Sequence, residues 1–236
     1  MKNVDFLKNR LIAHRGIFDN KKVPENSIKA FMDAINKRYA IELDVHLTKD
    51  KRIVVFHDDV LDRMTNEKGF IKDYTYEKLR KIKLLNTNYT IPSLDEVLKL
   101  VDGKVPLLIE LKYDVKHHKL EKELIKILDN YSGKFAVQSF DPFIISFFRF
   151  HKNNYIRGLL VSPKKDTLFK KISNSMIFIP LCNPDFLSVY KKMSEDIKVI
   201  RFKKHKPVLA WTMRSKEDVD NYKDKFDNII CNIKDC

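Results

Sequence analysis

Glycine is scarce in this chain of 236 residues: there are five, and no low-complexity stretch, which argues against a flexible linker or a disordered segment. Cysteine is scarcer still. Cys182, Cys231 and Cys236 form neither a CxxC pair nor zinc-site spacing, so they read as reduced thiols of a cytoplasmic protein. No apolar run approaches the roughly 18 residues that a spanning helix needs, and residues 1–7 lack the apolar segment of a secretory signal. These absences exclude a disulfide scaffold and stable membrane insertion. What is present is apolar bulk and positive charge. Hydrophobic residues make up 44% of the chain, enough for a sizeable core. The formal net charge is +14, but lysines are scattered through every segment. Clusters such as Lys203-Lys204-His205-Lys206 are short and lack interleaved aromatics, so the charge reads as a solvated surface and not as a nucleic-acid site.

Short β-like runs alternate with helical stretches. Runs at 11–13, 39–46, 105–111, 135–138, 156–161, 176–181, 207–211 and 228–231 predict eight strands. Helical patterns cover 27–38, 118–130 and 142–151, with His117 and His118 solvated at the start of the middle one. Such alternation predicts parallel pairing with helices outside, and eight units close a (β/α)8 TIM barrel, here a single α/β domain over residues 1–236. Two segments break the pattern. Residues 51–57 predict a ribbon doubling back on the second strand, followed by a small helical insertion at 58–103 in which Ser93 and Glu96 form a capping box. Only five residues follow Cys231, so the eighth outer helix is expected to be missing. Residues 2–10, with Val4, Phe6 and Leu7, are then expected to cover the apolar seam between the last and first strands, unless a second subunit does. No feature selects an oligomeric state.

Polar residues gather at the strand ends, where barrels carry their chemistry. In a strand, positions i and i+2 share a face, so Ile41-Glu42-Leu43-Asp44-Val45 presents two carboxylates side by side. Leu108-Ile109-Glu110-Leu111-Lys112 presents a carboxylate beside an ammonium. Three converging carboxylates repel unless a cation neutralises them, and together they make a hard-oxygen site suited to Mg²⁺ or Ca²⁺, with Mn²⁺ also admissible. The competing reading pairs Glu42 and Asp44 with Arg15 and Lys112 and needs no metal.

Ala13-His14-Arg15-Gly16, Pro24-Glu25-Asn26-Ser27, Ile41–Val45, Val55-Phe56-His57-Asp58, Ile91–Leu98, Ile109–Lys112 and Ala210-Trp211-Thr212 together resemble the glycerophosphodiester phosphodiesterases in order and spacing. The resemblance implies metal ligands at Glu42, Asp44 and Glu110, an acid/base pair at His14 and His57, and phosphate contacts from Arg15 and Lys112. It further implies metal-dependent hydrolysis of a small-molecule glycerophosphodiester to sn-glycerol 3-phosphate and an alcohol, through a cyclic phosphate formed by the neighbouring glycerol hydroxyl. Which histidine starts as the base stays open. The runners-up are a related phosphodiesterase acting on lysophospholipids and a noncatalytic basic barrel that binds polyanions. Trp211 reads either as barrel core or as an apolar wall against the glycerol end. Asn26 either braces the His14-Arg15 loop or caps a helix, and Gln138 is a supporting candidate behind the site. The chain departs from the family after its last strand, where Cys231-Asn232-Ile233-Lys234 stands in place of an acidic residue and a proline. A supporting role for this segment is therefore in doubt.

Overall fold

The computed structural model describes residues 2–112, 118–163 and 176–234. His117 and Cys236 lie outside them. Eight parallel strands close a barrel: β1 (Ile12–His14), β2 (Ala40–Leu47), β4 (Leu107–Leu111), β5 (Phe135–Ser139), β6 (Ile156–Val161), β7 (Phe186–Tyr190), β8 (Val208–Met213) and β9 (Asn228–Cys231). The order β1-β9-β8-β7-β6-β5-β4-β2 is closed by β1 pairing with β2, His14 opposite Glu42. The remaining strand, β3 (Ile53–Val55), runs antiparallel along the far end of β2, with Val45 opposite Val55. It is the expected ribbon. The helices outside the barrel are α1 (Ile28–Asn36), α3 (Leu94–Val101), α4 (Lys119–Leu128), α5 (Pro142–His151), α6 (Ile179–Cys182), α7 (Ile197–Lys203) and α8 (Lys216–Tyr222). A single-turn helix, α2 (Tyr76–Leu79), lies in the insertion. No helix follows β9 among the described residues.

Local chemistry explains several boundaries. The Ser27 side chain accepts from the Ala30 N–H and starts α1. Ser93 and Glu96 cap each other at the start of α3, the expected capping box. Asp141 caps α5, with Pro142 in the first turn, where a missing N–H costs nothing. His118 pairs through Nδ1 with Glu121 and stacks on Phe147.

One expected strand is misplaced. The run 176–181 is helical: a 3-10 turn at Met176–Phe178 leads into α6, with Pro180 in its first turn. Asn183, in the left-handed region with φ of 38°, ends it. The sixth barrel strand is β7, ten residues further along. A short apolar run does not distinguish helix from strand by itself; proline and the left-handed asparagine decide here.

The barrel interior is filled at its lower end by Ile12, Ala40, Leu108, Ala136, Phe186, Leu209 and Ile230, all buried. The Phe186 ring crosses against Gly158, where a Cβ would lie 2.2 Å from it. Leu7 belongs to this inner cluster, with Val4 and Phe6 packed on it. The amino-terminal segment therefore stoppers the lower mouth of the barrel and does not cover the outer seam. Asn228 Nδ2 donates to the carbonyls of Leu7 and Arg10, each at 2.6 Å, and Lys2 pairs with Asp185 at 2.8 Å. These bonds fix the segment below the strands. At the seam, Ala13, Ile229 and Cys231 are buried in the outer core with Ile17 and Phe226, and Ile233 packs against it. A third cluster, including Phe56, Leu61, Met64, Ile71 and Leu79, gives the insertion its own core.

Candidate active site

The upper mouth opens into a cleft of about 1180 Å³ lined by His14, Arg15, Glu42, His57, Glu110, Lys112, Gln138 and Trp211, among others. Eight of the ten expected residues face one space. The other two, Asp44 and Asn26, lie directly behind them.

The β1–α1 turn sets the geometry of the first group. Arg15 has φ of 54°, a left-handed conformation that turns its N–H onto Glu42 Oε2 at 3.1 Å. Gly16 follows because a Cβ there would lie 2.7 Å from the Ala30 backbone. Asn26 N–H returns to the Arg15 carbonyl at 3.0 Å, and Asn26 Nδ2 donates to Asp44 Oδ2 at 2.8 Å. Ser27 caps α1, so Asn26 is free to brace both the turn and Asp44.

Glu42, Asp44 and Glu110 each offer a carboxylate oxygen, and these oxygens all lie within 4.8 Å of one another. All three are buried. Lys112 Nζ pairs with Asp44 Oδ1 at 2.6 Å and with Glu110 Oε1. Arg15 approaches Asp44 at 3.5 Å and pairs with Glu25 at 2.7 Å. Burial alone would raise the Asp44 carboxyl, yet Lys112 and Arg15 hold it well below the usual range. Glu42 behaves oppositely: burial, then Asp44 and Glu110, push it well above that range. The ion pairs thus leave Glu42 without enough positive charge. A divalent cation would supply it, and three convergent carboxylates are hard donors of the required kind.

The two histidines have different partners. His14 Nδ1–H donates to Asn232 Oδ1 at 2.8 Å, and burial, reinforced by Arg15, pushes its pKa down to about 3. His57 Nδ1 pairs with Asp58 Oδ1 at 2.5 Å. His46, in β2, bonds the His57 carbonyl at 3.2 Å and fastens the ribbon end. Trp211 is half-buried, donates through Nε1 to the Ser188 carbonyl, and has Phe140 and Tyr190 rings at 5.5 and 5.6 Å. It is a wall of the cleft. Gln138 stands in register beside Glu110, buried, and its Oε1 has no partner among the described residues.

Four further side chains take part, three of them with no role expected from the sequence and one in the segment whose role was in doubt. Asn232 does support His14, which corrects the doubt over the chain end; an amide oxygen accepts the ring N–H as a carboxylate would. Glu25 and Asp58 stand inside the motif blocks, where their position beside Asn26 and His57 was the available signal. Arg63, from the insertion, pairs with both Asp58 and Glu25 and carries no sequence signal of its own.

Comparison with known proteins bears on the family and the fold. The chain matches the glycerophosphoryl diester phosphodiesterase family over residues 14–227. A glycerophosphodiester phosphodiesterase of Caldanaerobacter subterraneus is 40% identical over 148 residues, 58% of this chain and 60% of the relative. An uncharacterized Mycoplasma genitalium protein, MG293, is 32% identical over 91% of both chains. The chain spans 51% to 60% of the length of the first curated relatives it matches. An Oleispira antarctica phosphodiesterase, solved with the product sn-glycerol-3-phosphate, superposes with a TM-score of 0.81 at 20% identity, over 96% of this chain and 94% of its own. Barrel, matched region and relatives together establish that the chain belongs to the glycerophosphoryl diester phosphodiesterase family.

Proposed function

We propose that this protein is an enzyme that hydrolyses glycerophosphodiesters to sn-glycerol 3-phosphate and an alcohol, as a single catalytic domain that uses a divalent metal, Mg²⁺ or Ca²⁺. The observation that carries the reading is one cleft lined by Glu42, Glu110 and two histidines with unlike partners, with Asp44 behind it completing a three-carboxylate cluster. Family membership supports the substrate class, and so does the Oleispira relative with its bound product.

Glu42, Asp44 and Glu110 would hold the metal, whose contribution is to neutralise charge on the phosphate oxygens. Arg15 and Lys112 flank that position. Arg15 brings a planar fork suited to two phosphate oxygens, and Lys112 a compact charge. His14 keeps its proton on Nδ1, tied to Asn232, which leaves the Nε2 lone pair free to accept a proton from the attacking hydroxyl. His57 is the complementary group. The Asp58 carboxylate can balance a positive ring as the neutral Asn232 amide cannot, so His57 protonates the departing alkoxide. If the neighbouring glycerol hydroxyl attacks first, the two roles reverse when water opens the cyclic phosphate. Trp211, with Phe140 and Tyr190, forms an apolar wall for the carbon skeleton, and Gln138 offers its amide beside Glu110.

The test is a panel of glycerophosphodiesters, each assayed for released sn-glycerol 3-phosphate with Mg²⁺, Ca²⁺, Mn²⁺ and excess chelator. Turnover abolished by chelation is the expected result. No release from any substrate with any of the three metals refutes the proposal.

A further inference from the structure

One side chain of the insertion after β3, that of Arg63, ties together two carboxylates that stand behind the site. Arg63 Nε donates to Asp58 Oδ2 at 2.5 Å and Nη2 to Asp58 Oδ1 at 3.1 Å. The same guanidinium donates through Nη2 to Glu25 Oε1 at 2.6 Å and through Nη1 to Glu25 Oε2 at 3.2 Å. Glu25 Oε1 also accepts from Arg15 Nη1 at 2.7 Å, and Asp58 Oδ1 takes the His57 ring N–H. A continuous charged chain therefore runs His57, Asp58, Arg63, Glu25, Arg15. Its ends are the proposed acid and the proposed phosphate fork. Its middle is a residue that faces neither substrate nor metal.

We propose that Arg63 is a positioning residue that locks His57 and Arg15 in register with each other, and that the insertion is the rigid mount for it. The inference rests on the hydrolase reading above. The mount is visible: Leu61 and Met64, on either side of Arg63, are buried in the core of the insertion. The Leu61 carbonyl accepts from the N–H groups of Met64 and Thr65 at 3.2 and 3.1 Å, so the backbone that carries Arg63 is tightly turned. The planar fork matters as much as its charge. One guanidinium meets four carboxylate oxygens on two residues, whereas a lysine ammonium is a single point and reaches fewer of them. Without Arg63, Asp58 keeps only the His57 contact and both can swing. Among the described residues, Glu25 would then keep Arg15 and Asn20 as its side-chain partners.

The experiment compares Arg63→Ala, Arg63→Lys and the double variant Arg63→Ala/Asp58→Asn in the full chain. The Arg63 side chain is 45% exposed, so removing it leaves a solvent-accessible slot and little lost packing. A displacement of about 1 Å at a catalytic group can cost roughly 10²-fold in rate, and a fall in kcat of that order is expected for Arg63→Ala. Arg63→Lys should recover little of it. Guanidinium ion, added far below denaturing concentration, should restore part of the rate to Arg63→Ala and none to the double variant, because the slot then lacks the Asp58 carboxylate. A substrate-free readout separates this inference from the function itself: the His57 ring N–H resonance should be sharp in the wild type, broadened in Arg63→Ala and sharpened again by guanidinium. If the wild type turns over no glycerophosphodiester, the hydrolase reading fails while the resonance still decides the positioning role. An unchanged kcat with an unchanged resonance in Arg63→Ala overturns the proposal. So does a loss that guanidinium fails to restore in a protein melting within a few degrees of wild type. If Arg63→Ala does not fold, a folded Arg63→Lys with wild-type kcat overturns it equally.

Discussion

Replacing Glu42 with glutamine should stabilise the metal-free protein while destroying its response to metal. Glu42, Asp44 and Glu110 bring carboxylate oxygens within 4.8 Å of one another, and at an effective dielectric of about 20 a pair at that separation repels by about 3 kcal/mol. Glu42 is opposed by both neighbours. Arg15 and Lys112 offset part of this, and both also serve Asp44. A net gain on the order of 1–2 kcal/mol is left for the neutral amide, or roughly 2–8 °C in melting temperature for a chain of this size. The sign with pH follows from the raised carboxyl. A glutamate whose folded pKa exceeds its unfolded value costs nothing below the unfolded value, 4.5, where both states are protonated. Its cost grows as pH rises through the folded value and is full above it. The gain from Glu42→Gln should thus be largest at neutral pH and vanish below about pH 4.5. Thermal melts of both proteins from pH 4 to 8, in chelator and in Mg²⁺ or Ca²⁺, read all of this. Wild type should rise with metal and the variant should not. A variant that melts lower than wild type in chelator, alongside a wild type indifferent to metal, would show that Glu42 is a structural ion-pair partner and that no metal belongs there.

Alanine at His14 or His57 should lower kcat by roughly 10²–10⁴-fold with a smaller change in KM, and steady-state kinetics that show wild-type kcat for either would remove it from the mechanism. Asn232→Asp places a negative charge on the His14 ring, so the His14 pKa should rise from about 3 and the acid limb of the rate profile should move to higher pH; an unmoved limb refutes His14 as the group read there. Leu7→Ala should cost about 2–5 kcal/mol in urea unfolding with metal affinity intact, since Leu7 is fully buried at the opposite end of the barrel from the cleft. A cost below about 0.5 kcal/mol, the range of featureless surface changes, would show that the segment is not docked.

Much of the site was legible because strand chemistry is local. The Glu42/Asp44 alternation, the ribbon behind Asp50 and the Ser93–Glu96 cap each rest on residues a few positions apart, and each is found as read. The errors arose where spacing gives no information. The 176–181 run is apolar enough for a strand, and Pro180 with a left-handed Asn183 turns it into a helix. The stopper role of Val4, Phe6 and Leu7 depends on the empty volume beneath seven interior side chains, which no sequence window contains. Asn232 and Arg63 became visible only when the barrel closed and the insertion folded back, because each meets its partner across the fold.

The bond between His14 and Asn232 joins positions 218 apart, and those from Asn228 to Leu7 and Arg10 span 221 and 218. During synthesis, the first strand therefore waits for the ninth. A nascent chain that already holds Glu42, Asp44, His57 and Glu110 still has an open barrel wall, an unplugged lower mouth and a His14 ring free to take either tautomer. Contacts of such long range are slow to form because loop closure precedes any reward. The complete site should consequently appear late and abruptly, when β9 docks and brings Asn232 to the His14 ring.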